Sequence, residues 1–317
     1  GLDAIMENLI LSVRVVLPLF LMLALGYLLR RVELVDDHTL SGCNTLVFRV
    51  FLPTMLFKNV YDTDLAASFN PRLMAFAMVS VVTLFILTMT VIPRMEKERP
   101  RQASIVQAIF RSNFVIFGLP VTAALFGQEH AGVAAILVAV VVPFFNVLTV
   151  FALEYFRGGQ IDLKKVLRGV VTNPLIIGAA LGLFCLLTGF RLPAPVESAV
   201  SDVGRVATPL ALIVLGGTFR FSALRGSARQ LTICVVGKLI VSPAIFLTAA
   251  ALLGFRGVEM AAILSLFAAP TASSSYPMAC EMGADGELAG QAVVCTSFFC
   301  ILTVFLWVLL FKSLGLV

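Results

Sequence analysis

The chain has 317 residues, of which 60% are hydrophobic and 13% are charged, and its formal net charge at pH 7 is +5. A soluble domain of this length would carry far more charge on its surface, so the composition excludes an ordinary soluble globular protein and predicts an integral membrane protein. We expect the basic residues in loops on one side of the membrane, so the positive charge does not indicate a nucleic-acid partner.

Apolar stretches separated by short loops follow one another along the whole chain. Several of them run without a charge for long enough to cross a hydrocarbon core of roughly 30 Å as a helix. The sequence therefore predicts an all-α polytopic membrane protein with ten transmembrane helices, five in each half. The predicted spans are 8–29, 39–58, 72–93, 102–126, 131–155, 166–189, 196–219, 230–254, 259–281 and 287–311.

The distribution of positive charge predicts the orientation of these spans. Thirteen Lys and Arg residues fall in the loops after spans 1, 3, 5 and 7, whereas five fall on the opposite side. Because cytoplasmic loops carry the excess of basic residues, the thirteen are expected in the cytoplasm. We therefore predict a multi-pass protein of the cell membrane with both termini outside the cytoplasm.

The two halves of the chain match each other at a shift of about 156 residues. Val47–Pro53 lies over Val203–Pro209, and Gly26 lies over Gly182. The match predicts two repeats, 1–156 and 165–317. If each repeat crosses the membrane five times, the second must be inverted, and inverted repeats of this kind are typical of secondary transporters.

Spans 4 and 9 combine proline with polar residues at corresponding positions. Proline cannot donate to the carbonyl four residues earlier, so Pro120 and Pro277 are expected to interrupt these helices. Freed backbone groups cannot face lipid, so they must be buried in protein or line a wet cavity. Two broken helices at equivalent repeat positions indicate a substrate site, although proline kinks whose backbone is satisfied by nearby Ser or Thr would look the same.

Three arginines and one asparagine are predicted at membrane depth, where a charge is expensive and usually functional. Arg49 and Arg205 each precede a proline by four residues, and both could attract an anion; alternatively Asp202 neutralises Arg205 on the same helix face. Arg111 could bind a carboxylate or pair with a carboxylate on another helix. Asn146 could serve the site or connect helices, and Lys238 is interpreted as structural.

Together these patterns predict a site for an anion, which the partial positive charge at the N-termini of broken helices would favour. No cofactor is predicted, and the six cysteines, none in a CxxC pair, are interpreted as packing residues and not as metal ligands. The predicted substrate-binding residues are Arg49, Arg111, Asn113, Gly118, Pro120, Asn146, Arg205, Thr271, Ser273, Ser274, Ser275, Tyr276 and Pro277.

Short motifs recur in order along five of the spans. They are Phe110-Arg111-Ser112-Asn113 with Gly118-Leu119-Pro120, then Asn173-Pro174-Leu175-Ile176-Ile177-Gly178, Pro209-Leu210-Ala211-Leu212 with Gly216, Lys238-Leu239 with Pro243, and Pro270-Thr271-Ala272-Ser273 with Tyr276. In this order and spacing they resemble the auxin efflux carrier family, which includes the plant PIN-FORMED proteins and bacterial proteins described as malate or malonate permeases. The resemblance covers essentially the whole chain.

The resemblance implies that spans 4 and 9 cross at their breaks. It also implies a scaffold of spans 1, 2, 6 and 7 that forms a homodimer, and a transport domain of spans 3–5 and 8–10 that carries an organic anion by an elevator movement. Asn113 matches the crossover asparagine that contacts the substrate carboxylate in this family. The second crossover asparagine of the plant proteins has no counterpart, since Ser273, Ser274 and Ser275 stand there. A small mono- or dicarboxylate is therefore favoured over auxin.

Two other functional classes remain to be weighed against a transporter. An intramembrane serine protease would need a histidine at membrane depth, and His38 and His130 both fall in predicted loops; we therefore predict no enzyme activity. A ten-helix channel or sensor would keep the repeats without carrier turnover and stays the alternative. Coupling to H⁺, to Na⁺ or to the membrane potential alone is open.

Overall fold

The computed structural model describes residues 2–62, 64, 70–127, 130–158 and 162–317. Within these ranges every regular element is a helix. The helices are α1 (Leu2–Arg31), α2 (Asp37–Tyr61), α3 (Pro71–Met95), α4 (Arg99–Phe110), α5 (Phe114–Phe126), α6 (Ala131–Phe156), α7 (Leu163–Thr172), α8 (Pro174–Thr188), α9 (Ala194–Thr218), α10 (Phe221–Leu252), α11 (Gly257–Ala268), α12 (Ser275–Glu281) and α13 (Gly286–Ser313).

Six of the described helices are long and apolar enough to cross a membrane. They are α2, α3, α9, α10, α13 and the Ile136–Phe156 part of α6, and α7 with α8 would make a seventh span that bends by 57°. The prediction of an all-helical, multi-pass membrane protein is confirmed. The total of ten spans stays a prediction.

Three of the predicted spans are divided in the structure. Span 4 is α4 and α5, separated by Arg111–Asn113, and span 9 is α11 and α12, separated by 269–274. Predicted span 6 begins too early, because 166–172 belong to α7 and the straight segment α8 begins at Pro174. The interruptions of spans 4 and 9 were expected, but their cause was assigned to the wrong residues.

Pro120 and Pro277, which were expected to interrupt the spans, lie inside helices, whereas Pro270 lies in the break of span 9. Pro120 lies within α5, and Pro277 lies in the first turn of α12. A proline in the first turn costs no helical hydrogen bond, because the first N–H groups of a helix have no partner within it. Helix α4 ends before Pro120, at Phe110, because the next residue, Arg111, takes an extended conformation with φ −91° and ψ 132°.

Glycines allow two pairs of helices to approach closely. Gly26 of α1 lies against the carbonyl of Ile213 in α9, and Gly182 of α8 lies against the carbonyl of Phe57 in α2. A Cβ atom at either glycine would overlap that carbonyl. The helix pairs α1–α9 and α2–α8 are thus held at backbone contact, as is common where small residues meet between membrane helices.

We expect Gly26→Ala to destabilise the protein strongly, because the added methyl group meets backbone that cannot move without separating α1 from α9. Overpacking of this kind costs about 1–3 kcal/mol or more, and thermal unfolding in detergent would measure it. Gly42→Ala is the matched control, since a Cβ at Gly42 in α2 meets no atom within 4 Å. Equal melting temperatures for the two variants would contradict the close contact.

Candidate functional site

The breaks in spans 4 and 9 contact each other through their backbones. The N–H of Asn113 donates to the carbonyl of Pro270 at 2.8 Å. The Thr271 hydroxyl donates to the carbonyl of Ala108 at 2.7 Å, near the end of α4. The Gln107 side-chain amide donates to the carbonyl of Ser275 at 3.0 Å. Backbone groups that lose helical partners at each break are therefore satisfied in part by the other break.

A small cavity of about 60 Å³ lies beside these breaks. One wall consists of residues from the two breaks, a second comes from α6, and the third comes from α2 and α9. Its lining residues are Leu52, Met55, Arg111, Ser112, Asn113, Val142, Phe145, Asn146, Thr208, Ala211, Ala272, Ser273 and Ser274. The structure thus brings five of the predicted site residues together: Arg111, Asn113, Asn146, Ser273 and Ser274.

Arg111 is a buried cation without an acidic partner in the described part of the chain. Its side chain is 3% exposed, and its guanidinium donates to the Asn146 amide oxygen at 2.6 Å and contacts the Met278 sulfur at 2.9 Å. Asn146 is held in turn, because its amide nitrogen donates to the Val142 carbonyl at 2.8 Å. Neither neighbour carries a negative charge, so no residue that the structure describes neutralises the positive charge at the cavity.

Two further polar groups of the cavity are buried and find no hydrogen-bond partner among the residues that the structure describes. They are the side-chain nitrogen of Asn113 and the hydroxyl of Ser112. Asn113 precedes α5 but its side chain does not cap that helix. Buried donors without partners are rare and expensive in folded proteins. Next to the Arg111 charge, they make a cavity suited to a hydrogen-bond acceptor with negative charge.

Several predicted site residues do not line the cavity, and two of them, Thr271 and Ser275, connect the breaks. Thr271 is fully buried, and its N–H donates to the Thr296 hydroxyl at 3.1 Å in addition to its bond across the breaks. Ser275 supplies the carbonyl that Gln107 binds. Pro277 lies within α12, and Gly118 lies against the ring of Phe114 within α5. The side chain of Pro120 lies outside the described parts of the structure.

Tyr276 belongs to a different cavity. Its hydroxyl lies 2.9 Å from that of Thr218 in α9, and both residues line a space of about 370 Å³ that also contacts Arg30 and Arg220. This larger space shares no lining residue with the small cavity, and Arg30 and Arg220 lie in or next to the loops that carry the basic residues. Tyr276 therefore contacts α9 away from the small cavity and does not join its lining.

The structure does not bring Arg49 or Arg205 to the cavity. Both side chains are exposed, Arg205 by 77%, and Arg205 lies 3.5 Å from Asp202 as the structural alternative predicted. Arg49 lies in a π-helical turn of α2, Val47–Phe51, and faces outward. The prediction placed both arginines by their depth along a span, which says nothing about the face of the helix on which they lie.

The wall formed by α2 and α9 was missed by the sequence interpretation. Leu52 and Met55 come from α2, and Thr208 and Ala211 come from α9. Each residue of the second pair lies 156 positions after its counterpart in the first. The signal was present in the match of Val47–Pro53 with Val203–Pro209, but mostly apolar residues next to a proline did not indicate a binding site.

Lys238 is a second buried cation close to the breaks. It is 1% exposed, and its ammonium donates to the carbonyl of Phe267 at 3.4 Å. Because α11 ends at Ala268, this carbonyl belongs to the last turn, where the helix carries partial negative charge. No ion pair neutralises Lys238 within the described residues. Its charge is therefore balanced only by the end of a helix.

Buried donors around a cavity at two broken helices, in a protein that crosses the membrane several times, are features of a membrane transporter. The family described as membrane transport protein matches residues 11–308, and the chain belongs to this family. It is the auxin efflux carrier family that the motifs resemble, so the resemblance is confirmed.

Two relatives match along nearly their whole length. The chain is 24% identical to an "Uncharacterized transporter" of Methanothermobacter thermautotrophicus over 303 residues, which are 93% of this chain and 97% of the relative. It is also 24% identical to a "Putative malonate transporter" of Rhizobium meliloti over 307 residues, which are 91% of this chain and 92% of the relative. Both are named as transporters, in agreement with the prediction that the chain is not an enzyme.

Proposed function

We propose that the chain is a secondary transporter that moves a small organic anion, a mono- or dicarboxylate, across the cell membrane. The observation that carries the proposal is the guanidinium of Arg111, which is buried at the cavity with no carboxylate partner among the described residues. Removing a cation from water costs several kcal/mol unless it is paired. A carboxylate substrate would provide the missing negative charge.

The size and polarity of the cavity favour a small carboxylate over an aromatic one. A space of about 60 Å³ is large enough for a few water molecules and is small for a binding site, which favours a small anion. Ser112, Ser273 and Ser274 place hydroxyl groups around it, and these can donate to a second carboxylate or a hydroxyl. The name of the Rhizobium meliloti relative, "Putative malonate transporter", agrees with a dicarboxylate.

The architecture we propose is ten membrane helices in two inverted repeats that cross at the breaks of spans 4 and 9. Two sets of contacts support it. Gly26 and Gly182 are 156 residues apart, and the carbonyls that they contact, Ile213 and Phe57, are also 156 apart but in the opposite halves. The cavity wall shows the same offset of 156 residues between the halves, because α2 and α9 contribute equivalent residues to it.

For the movement, we propose that α1, α2, α8 and α9 form a scaffold and that α3–α6 and α10–α13 form a transport domain that slides along it. The backbone contacts at Gly26 and Gly182 support a rigid scaffold, since both lie within it. The cavity lies where the two groups of helices meet, so a sliding movement would carry a bound anion past α2 and α9. We further propose a homodimer through scaffold helices, with the coupling ion, H⁺ or Na⁺, left open.

Counterflow in liposomes tests the proposal against the alternative of a channel or sensor. Vesicles that hold purified protein and unlabelled malonate should accumulate labelled malonate transiently above its outside concentration. A carrier exchanges one substrate for another, whereas a channel only equilibrates the label. Related mono- and dicarboxylates are tested in the same way. Equilibration without overshoot for every carboxylate tested would contradict a carrier of these anions.

A further inference from the structure

The short helix α7 does not continue the path of the span that follows it. It meets α8 at 57°, and only Asn173 separates the two helices. Both helices begin with side-chain caps: Asp162 accepts from the N–H of Lys164 at 3.0 Å, and Asn173 accepts from the N–H of Leu175 at 2.9 Å. Asparagine and aspartate before a helix are strong start signals. The bend is therefore encoded by two separate helix starts.

The side chains of α7 divide into three faces. One face packs on the protein, because Val166 is 3% exposed and Gly169 lies against the Glu154 carboxylate. A second face is apolar and exposed. It consists of Leu163, Leu167 and Val171, which are 62%, 60% and 69% exposed and follow one another at intervals of four residues.

The third face of α7 is basic. Lys164, Lys165 and Arg168 are all exposed, and none forms an ion pair within the described residues. At 100° per residue these three occupy the arc next to the exposed apolar stripe. A helix with apolar and basic faces side by side is the pattern of helices that lie in the membrane interface.

We propose that α7 lies in the interface of the membrane and binds anionic phospholipid headgroups through Lys164, Lys165 and Arg168. The apolar stripe of α7 is inserted among the upper acyl chains. It continues into exposed apolar residues of α8, such as Ile177 and Leu181, which are 47% and 55% exposed. The basic face then lies at the level of the phosphates, which attract lysine and arginine side chains.

Titration of the full-length protein in detergent with phosphatidylglycerol and with phosphatidylcholine tests the proposal. The readout is the lipid concentration that gives half of the rise in melting temperature. The variant Lys164→Gln/Lys165→Gln/Arg168→Gln should need at least about tenfold more phosphatidylglycerol, with its response to phosphatidylcholine unchanged. The control Arg94→Gln/Lys97→Gln/Arg225→Gln removes three exposed charges from loops predicted on the same side and should respond like the unmodified protein.

Two further measurements keep the proposal open to refutation if the triple variant folds poorly. In the unmodified protein, added salt should weaken the response to phosphatidylglycerol, because salt screens the attraction between charges. The response to phosphatidylcholine should not change. Leu163→Gln/Leu167→Gln should weaken the response to both lipids. Two results would overturn the proposal directly: equal effects of the two triple variants, or a lipid preference that does not depend on salt. A change in oligomeric mass when the α7 charges are removed would also overturn it, because α7 would then contact protein.

Discussion

Replacing Arg111 with glutamine should abolish carboxylate transport while the protein stays folded. Truncating one partner of a buried, hydrogen-bonded charge pair costs about 2–5 kcal/mol of binding, so we expect the apparent affinity for the anion to fall by at least about 30-fold. Stability should not fall in parallel, because the variant removes a buried charge that no acidic group among the described residues compensates. Uptake into liposomes and thermal unfolding measure the two effects separately.

The matched control for this variant is Arg205→Gln, which removes an arginine from a span without touching the cavity. The Arg205 side chain is 77% exposed and pairs with the exposed carboxylate of Asp202, and exposed ion pairs contribute little. Transport by Arg205→Gln should therefore stay close to that of the unmodified protein. If Arg111→Gln transports normally, or if both variants lose transport equally, the Arg111 charge is not what selects the anion.

Sequence reasoning located the segments of the site but not their geometry. The polar residues of spans 4 and 9 pointed to Arg111, Asn113, Ser273 and Ser274 because such residues are expensive inside a membrane. The sequence interpretation assigned the breaks to Pro120 and Pro277, but a helix can also end where its backbone finds partners outside the helix. Asn113 finds one in the carbonyl of Pro270, which is 157 residues distant along the chain. A contact of that kind has no local signal.

The structure places Arg49, Arg205 and the start of span 6 differently from the sequence interpretation, for related reasons. Depth along a span can be counted from sequence, but the face on which Arg49 lies depends on which helices surround α2. Hydropathy extended span 6 back to residue 166 because half of α7 is apolar. The Asn173-Pro174 pair did indicate a helix start, because proline disfavours the helical conformation of the residue before it and asparagine is a preferred helix N-cap. Local chemistry there was more informative than the hydrophobic run.

Substitutions at Asn113 can separate effects on binding from effects on folding, because Asn113 connects the two breaks through its backbone and not through its side chain. Its N–H donates to Pro270, a bond that any residue except proline can make. Its side-chain nitrogen is buried and has no hydrogen-bond partner within the described ranges. Changing the side chain should therefore leave the contact between the breaks intact and alter only the group offered to a substrate.

Two substitutions at Asn113 should affect transport and stability in different ways. Asn113→Ala removes one hydrogen bond to a charged ligand, worth about 1.5–3 kcal/mol, so uptake efficiency should fall about 10- to 100-fold. Asn113→Asp introduces a carboxylate into the cavity that Arg111 lines, so it should abolish uptake by repelling the anion. The same carboxylate can pair with Arg111, so the melting temperature should stay equal to that of the unmodified protein or rise.

The control is Asn44→Ala, which removes a buried amide of α2 that does not line the cavity; it should change stability without selectively changing anion affinity. Loss of transport with an equal or raised melting temperature in Asn113→Asp is the expected combination. It follows only if the cavity is positively charged and built for an anion. A neutral or cation-selective site would tolerate the aspartate or bind better with it, so an Asn113→Asp protein that transports carboxylates normally would contradict both the site and the class of substrate.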